Sequence, residues 1–99
     1  MPKIFKYFGY LIYIYAHDHL PVHIHAKIQD REGKFILLYN NGILTIEDQN
    51  IKGKPHLTAK EVTEMRKFVR VYANKIKEQW ETIHYYKKKV TCIEVKRRV

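Results

Sequence analysis

The stretch VHIHAKIQDREGKFILLYNNGILTIE, residues 22–47, decides the fold. Three runs within it, residues 22–28, 34–39 and 43–47, are rich in the β-branched and aromatic residues that strands favour. Asp30-Arg31-Glu32-Gly33 predicts a hairpin turn in which the glycine takes a positive φ, and Asn40-Asn41-Gly42 predicts a second hairpin. Short turns join antiparallel neighbours, so these runs are predicted to form three antiparallel strands.

The segment before this stretch extends the predicted sheet. Residues 3–16 are dominated by tyrosine, phenylalanine and isoleucine, which predicts one long strand or two short strands meeting at Gly9. Gly9 is a candidate β-bulge in this interpretation. Together with the three later runs, the segment completes an antiparallel four-stranded meander.

The segment after this stretch predicts a helix. Thr58-Ala59-Lys60-Glu61 matches a capping box. Apolar residues then recur at spacings of three and four as far as Ile83, which predicts one long amphipathic helix ending near Tyr85 or Tyr86. Residues 90–95 predict a fifth strand or a partly ordered tail.

These elements predict an α+β fold in which the meander carries one long C-terminal helix on one face, with a possible fifth strand at the C-terminus. The length of 99 residues suits one domain. We assign residues 1–89 to that domain and residues 90–99 to a basic C-terminal extension, either strand or tail.

Four of the six histidines fall within residues 17–25, His-Asp-His-Leu-Pro-Val-His-Ile-His. Imidazole is suited both to proton transfer near neutral pH and to binding transition metals. Side chains alternate along a strand, so His23 and His25 are expected to share one face of the strand that begins at residue 22.

Three interpretations of these histidines remain open. His19, His23 and His25 are candidate ligands for a divalent transition-metal ion with an open position for water, with Asp18 or Asp30 as supporting partner. Alternatively, His19, His23 and His25 act as general acid and base on a phosphodiester, with Lys27 stabilising charge. In the third interpretation the histidines only fix the loop through backbone hydrogen bonds, or stack on Tyr13 and Tyr15.

The net charge of +9 is concentrated in the second half, where residues 58–99 carry twelve Lys/Arg and five Asp/Glu. This charge favours anionic partners such as RNA or DNA. Arg66, Arg70 and Lys77 are predicted to form a basic ridge on the helix, which Lys87, Lys88 and Lys89 extend. The alternative is a solvated helix face with a basic tail that aids solubility.

Composition also excludes several classes of protein. A single cysteine, Cys92, excludes an internal disulfide and a cysteine-based zinc site. No segment is long and apolar enough to span a bilayer, and the N-terminus does not resemble a secretory leader. We therefore expect a cytoplasmic protein without a membrane partner.

Four groups of residues resemble one family of small bacterial proteins, the domain of unknown function four-one-six-zero. They are the opening Met1-Pro2-x-Ile4-Phe5-Lys6-x-Phe8-Gly9, the strand Tyr13-Ile14-Tyr15, the element His19-x-Pro21-x-His23-Ile24-His25-Ala26, and a helix ending with a tryptophan. The resemblance covers residues 2–86. Leu20 stands where the family commonly has a proline.

The resemblance implies a role in a two-protein module, because members are often encoded beside a second small protein in pairs that have been compared with toxin–antitoxin systems. The expected partner is therefore a small cognate protein, with nucleic acid as a further partner. The alternatives are a small ribonuclease, metal-dependent or not, that acts through the histidines, and a pure interaction module that uses a sheet edge or the aromatic first strand. Homo-oligomerisation remains open.

Overall fold

A computed structural model describes residues 2–99 as one six-stranded sheet with two helices. The strands are β1 (Lys3–Tyr7), β2 (Tyr10–Tyr13), β3 (His23–Ile28), β4 (Arg31–Asn40), β5 (Ile43–Asn50) and β6 (Ile93–Val95). The helices α1 (Ala59–Val71) and α2 (Ala73–His84) lie between β5 and β6 in sequence. The strand order is β5-β4-β3-β2-β1-β6, so the fold is α+β as predicted.

The prediction of a four-stranded meander is wrong in the number of strands. Strands β1 to β5 form a five-stranded antiparallel meander, and β6 adds to it in parallel beside β1. The predicted first strand is two strands, since Phe8 and Gly9 have φ of 42° and 87° and form a two-residue turn. Two consecutive positive φ values suit a tight hairpin, so Gly9 lies in a turn and not in a bulge.

The hairpin between β3 and β4 is also displaced from its predicted position. Gln29 has the positive φ, 54°, and β4 begins at Arg31, so Gly33 lies within the strand. A Cβ atom at Gly33 would lie 2.7 Å from Leu57 Cδ1, which explains a glycine there without any turn. The second predicted hairpin is confirmed, with φ of 54° at Asn41 and 80° at Gly42.

The capping box at the start of α1 is confirmed. The Thr58 hydroxyl accepts from the Glu61 backbone N–H, and the Glu61 carboxylate accepts from the Thr58 backbone N–H. The single long helix is wrong, because Tyr72, with φ −101° and ψ 17°, separates α1 from α2. The Tyr72 ring stacks on Phe68 and packs against Phe5 at this joint.

Both helices contribute to a core on one face of the sheet. Phe5, Ile12 and Ala26 are cross-strand partners, so their side chains point to the same face. Phe5 contacts Phe68 of α1 at a ring-centroid distance of 5.2 Å, which identifies this face as the one that the helices cover. Within residues 2–99, neither helix has the length and apolar content needed to cross a membrane.

Candidate functional site

The sheet face opposite the core carries a group of polar side chains. His25 of β3 lies between Tyr13 of β2 and Lys34 of β4, and Lys27 is paired with Glu32. Because the strand period is two, the side chains of these residues share one face. The loop between β2 and β3 brings Asp18 to the same place.

Asp18 is held by a tight backbone turn. Its N–H donates to the Tyr15 carbonyl oxygen at 3.0 Å, and its Oδ2 accepts from the Tyr15 N–H at 3.1 Å. A side-chain carboxylate that accepts from a nearby backbone amide is typical of aspartate in turns. This pair of bonds aims the Asp18 carboxylate towards the start of β3.

His23 is almost fully buried, with 6% of its side chain exposed. Its Nδ1 lies 2.8 Å from the Pro21 carbonyl oxygen, and a carbonyl only accepts, so Nδ1 carries a proton and donates it. Nε2 lies 3.1 Å from Asp18 Oδ2. The imidazole packs against Trp80 of α2 at a ring-centroid distance of 5.2 Å, which fixes the ring plane.

His25 lies beside His23, with ring centroids 5.5 Å apart. Its Nε2 is 3.6 Å from Asp18 Oδ2 and its Nδ1 is 3.5 Å from Glu32 Oε2, and neither nitrogen has a hydrogen-bond partner. Burial lowers the pKa of His25 below its ordinary value, although the Asp18 carboxylate acts in the opposite direction. The neutral imidazole that burial favours offers one free lone pair.

Glu32 and Tyr15 lie behind His25. Glu32 is buried, and its Oε2 accepts from the Tyr15 hydroxyl at 3.4 Å. The backbone N–H of Glu32 donates to the Pro55 carbonyl oxygen, so the segment after β5 covers this side of the cluster. Burial, together with the nearby Glu32 carboxylate, raises the pKa of Tyr15 and keeps its hydroxyl protonated as a donor.

Two clefts open on either side of these residues. The first, of about 270 Å³, is lined by His17, Asp18, His19, Leu20, Pro21, His23, Lys34 and Ile36. The second, of about 400 Å³, is lined by Tyr13, Tyr15, His25, Lys27, Glu32, Ile51 and Lys54. Asp18 and His23 therefore line one cleft and His25 lines the other, and each cleft contains at least one lysine.

We call Asp18, His23 and His25 the triad. One ligand atom from each lies within 4.8 Å of the other two. The structure brings His23 and His25 together but does not place His19 with them: His19 is exposed in the loop and lines the first cleft. Asp18 takes the third position, and Asp30 lies in the exposed turn beside Arg31. Lys27 lines the second cleft with His25.

The predicted basic ridge is partly engaged within the protein. Arg66 pairs with Asp48 at 2.7 Å, Arg70 donates to the Leu44 carbonyl oxygen at 3.4 Å, and the ammonium of Lys77 lies 5.1 Å from the Tyr39 ring centroid. The exposed run Lys87, Lys88 and Lys89 contributes to a third cleft with Pro2. Pro2 immediately precedes β1, at the end of the sheet where β2 finishes and β3 begins.

Fold and site together define a small α+β protein with two buried imidazoles and a carboxylate at one end of its sheet. Residues 9–81 match the family model of DUF4160, a domain of unknown function, and the chain belongs to that family. The matched region contains the whole triad and Glu32. No curated protein and no solved structure matches the chain.

The sequence predicts only a supporting role for Asp18 and indicates no role for Glu32. Asp18 stands inside the histidine-rich stretch, but a strand pattern does not show how a loop folds back. The predicted turn at residues 30–33 includes Glu32, whereas the observed strand β4 begins at Arg31 and places Glu32 on the same face as Lys34, opposite Lys27. The alternation of side chains between the two faces of β4 is therefore the sequence signal that could identify Glu32 as a member of the site.

Proposed function

We propose that this protein is one half of a two-protein module of the toxin–antitoxin type, that it binds a small cognate protein and RNA, and that the triad is its functional centre. The observation that carries the proposal is the convergence of two imidazoles and a carboxylate between two clefts that contain lysines. Buried histidine and carboxylate groups gathered at clefts are typical of functional sites.

The charge distribution supports RNA as the anionic partner. The net charge of +9 attracts a polyanion over long distances. Lys34 lines the first cleft and Lys27 the second, while the run Lys87–Lys89 lies near Pro2, at the end of the sheet where the triad also lies. Phosphates of a strand crossing this end of the sheet would therefore meet cations on both sides of the triad.

A ribonuclease is the second candidate function, and the presence of His19, His23 and Lys34 in one cleft favours it. In this reaction the ribose 2′-oxygen attacks the neighbouring phosphorus while a base takes the 2′-OH proton. The bond to the 5′-oxygen breaks, and an acid protonates that oxygen, so the products are a 2′,3′-cyclic phosphate and a 5′-hydroxyl. Histidine suits both proton transfers, and a lysine stabilises the charge on the phosphoryl oxygens.

The cognate protein has one extended sheet edge available. Strand β1 lies between β2 and β6, so the aromatic first strand is not an edge, whereas the eight-residue β5 is one. Ile43 at its start is 69% exposed. Extended segments commonly bind by adding a strand to such an edge. We propose that the cognate protein binds along the β5 edge, away from the triad.

Expression in a bacterial host tests this proposal. The wild-type chain should slow growth when expressed alone, and co-expression of the neighbouring small protein should restore it. Asp18→Asn should abolish the growth defect, because it removes the carboxylate charge and keeps the side-chain shape. His56→Asn, at an exposed histidine in the segment after β5, is the matched control and should remain as harmful as the wild type. Normal growth with the wild-type chain, together with no binding of RNA by the purified protein, would contradict the proposal.

A further inference from the structure

We propose that the triad binds one divalent transition-metal ion through Asp18 Oδ2, His23 Nε2 and His25 Nε2. This inference concerns what the triad binds. It rests on the geometry of the side chains and stands whether or not the protein acts on RNA.

The two distances that join the histidines to Asp18 fit a shared ion. Zinc binds imidazole nitrogen at about 2.0–2.1 Å and carboxylate oxygen at about 2.0–2.2 Å, so tetrahedral ligand atoms lie about 3.4 Å apart. Asp18 Oδ2 is 3.1 Å from His23 Nε2 and 3.6 Å from His25 Nε2. Two of the three separations are therefore close to the value that an ion would require.

His23 and Asp18 have the outer hydrogen-bond partners that metal ligands typically have, and His25 has a carboxylate nearby. His23 donates its Nδ1 proton to the Pro21 carbonyl, so in the neutral imidazole the lone pair is on Nε2, 3.1 Å from Asp18 Oδ2. His25 directs Nδ1 towards Glu32, and Asp18 is oriented by the Tyr15 amide. A carbonyl or carboxylate on the far nitrogen of a ligating histidine fixes its tautomer and ring orientation.

The triad has unsatisfied polar atoms without an ion. Neither nitrogen of His25 has a hydrogen-bond partner, although only 12% of its side chain is exposed. With the His23 proton on Nδ1, the Nε2 lone pair faces a carboxylate oxygen at 3.1 Å, which is repulsive unless a proton or a metal ion lies between them. A metal ion would give Nε2 of both histidines a partner, whereas a single proton on His23 leaves both nitrogens of His25 unpaired.

The ligand types indicate the class of metal. Two imidazoles and one carboxylate suit Zn²⁺ and its first-row neighbours, whereas Mg²⁺ prefers oxygen ligands and retains several waters. Three protein ligands leave a further position for water, and two of the three ligands, Asp18 and His23, line the first cleft. Since His23 and His25 would then be ligands, His19 remains as the imidazole in that cleft that is free to transfer protons.

The Zn²⁺ affinity of the purified chain is measured by competition with a chromophoric chelator. All proteins in this experiment carry Cys92→Ser, because the single thiol is exposed and could bind zinc itself. The background chain should bind one Zn²⁺, and an excess of Mg²⁺ should not displace it. Replacing a residue that only hydrogen-bonds to a metal ligand typically weakens metal binding by about 10- to 100-fold. Asp18→Asn and His25→Gln remove ligands themselves, so each should weaken Zn²⁺ binding by more than that. His56→Asn and His19→Ala should bind as the background does.

Circular dichroism shows whether each variant is folded, and the visible spectrum of Co²⁺ in the unsubstituted triad reports nitrogen and oxygen ligation independently of any variant. Absence of stoichiometric Zn²⁺ binding by the background chain would overturn the proposal. Loss of binding in His19→Ala with retention in Asp18→Asn would also overturn it, because the loop histidine would then be the ligand. Growth assays are not part of this test, so its failure is distinct from failure of the RNA proposal.

Discussion

Glu32→Gln separates a metal site from a purely structural cluster. The substitution keeps the size of the side chain and removes the charge that lies 3.5 Å from His25 Nδ1. His25 Nδ1 makes no hydrogen bond at that distance, and the bond from the Tyr15 hydroxyl, at 3.4 Å, is long and weak, so the Glu32 side chain is only weakly bonded in the metal-free protein. We therefore expect the free energy of unfolding without metal to change by less than about 1 kcal/mol.

The affinity for Zn²⁺ should respond far more strongly. A carboxylate behind a ligating histidine raises the basicity of the ligand, and losing it should reduce affinity by about 10- to 100-fold, equivalent to about 1.4–2.7 kcal/mol. Urea denaturation without metal and chelator competition with Zn²⁺ measure the two effects. Glu47→Gln, on the exposed strand β5, is the matched control. If Glu32→Gln lowers stability by several kcal/mol and leaves Zn²⁺ affinity unchanged, the cluster is structural and the reasoning is refuted.

Three further predictions concern packing, pH and RNA. Gly33→Ala should lower the free energy of unfolding, measured by urea denaturation, by about 1–3 kcal/mol. The double variant Gly33→Ala/Leu57→Ala should lose less stability than the sum of the losses in the two single variants. Strictly additive losses would contradict the 2.7 Å distance between a Cβ atom at residue 33 and Leu57 Cδ1. Because burial lowers the pKa of His25, the unfolded chain binds more protons just below 6.5, so the free energy of unfolding should fall as the pH drops through that value. His25→Gln should flatten this slope, and an unchanged slope would assign it to another group. Replacing Lys87–Lys89 with alanine should weaken binding of single-stranded RNA and reduce its salt slope by about 2, and an identical slope would exclude these lysines as phosphate contacts.

Local sequence signals predicted the parts of the fold that depend on neighbouring residues. The Thr58 capping box and the Asn41-Gly42 hairpin involve residues within one turn of each other, and both are confirmed. Alternation along a strand likewise accounts for the neighbouring positions of His23 and His25 on the polar face.

Features that depend on tertiary contacts were missed. Gly33 looks like a turn glycine in sequence, but the requirement comes from Leu57, twenty-four residues away in the chain. The joint at Tyr72 has neither proline nor glycine to mark it, and the aromatic contact with Phe5 forms only in the folded protein. Phe8 takes a positive φ that its residue type does not favour, which concealed the first hairpin.

The third member of the triad was missed for the same reason. The spacing of His19, His23 and His25 suggested three imidazoles, but spacing does not show which way a loop side chain points. The two hydrogen bonds that join the Tyr15 backbone to the Asp18 N–H and carboxylate turn that carboxylate inward, while His19 remains exposed. The sequence therefore indicates the segment in which the candidate residues lie, and the fold determines which residues within it converge.

An anomalous difference map from crystals soaked in Zn²⁺, recorded at the zinc absorption edge, tests the central claim most directly. The account predicts one strong peak within about 2.0–2.2 Å of Asp18 Oδ2, His23 Nε2 and His25 Nε2. A map with no peak between these atoms, or with zinc bound only at the exposed His17 and His19, would contradict it.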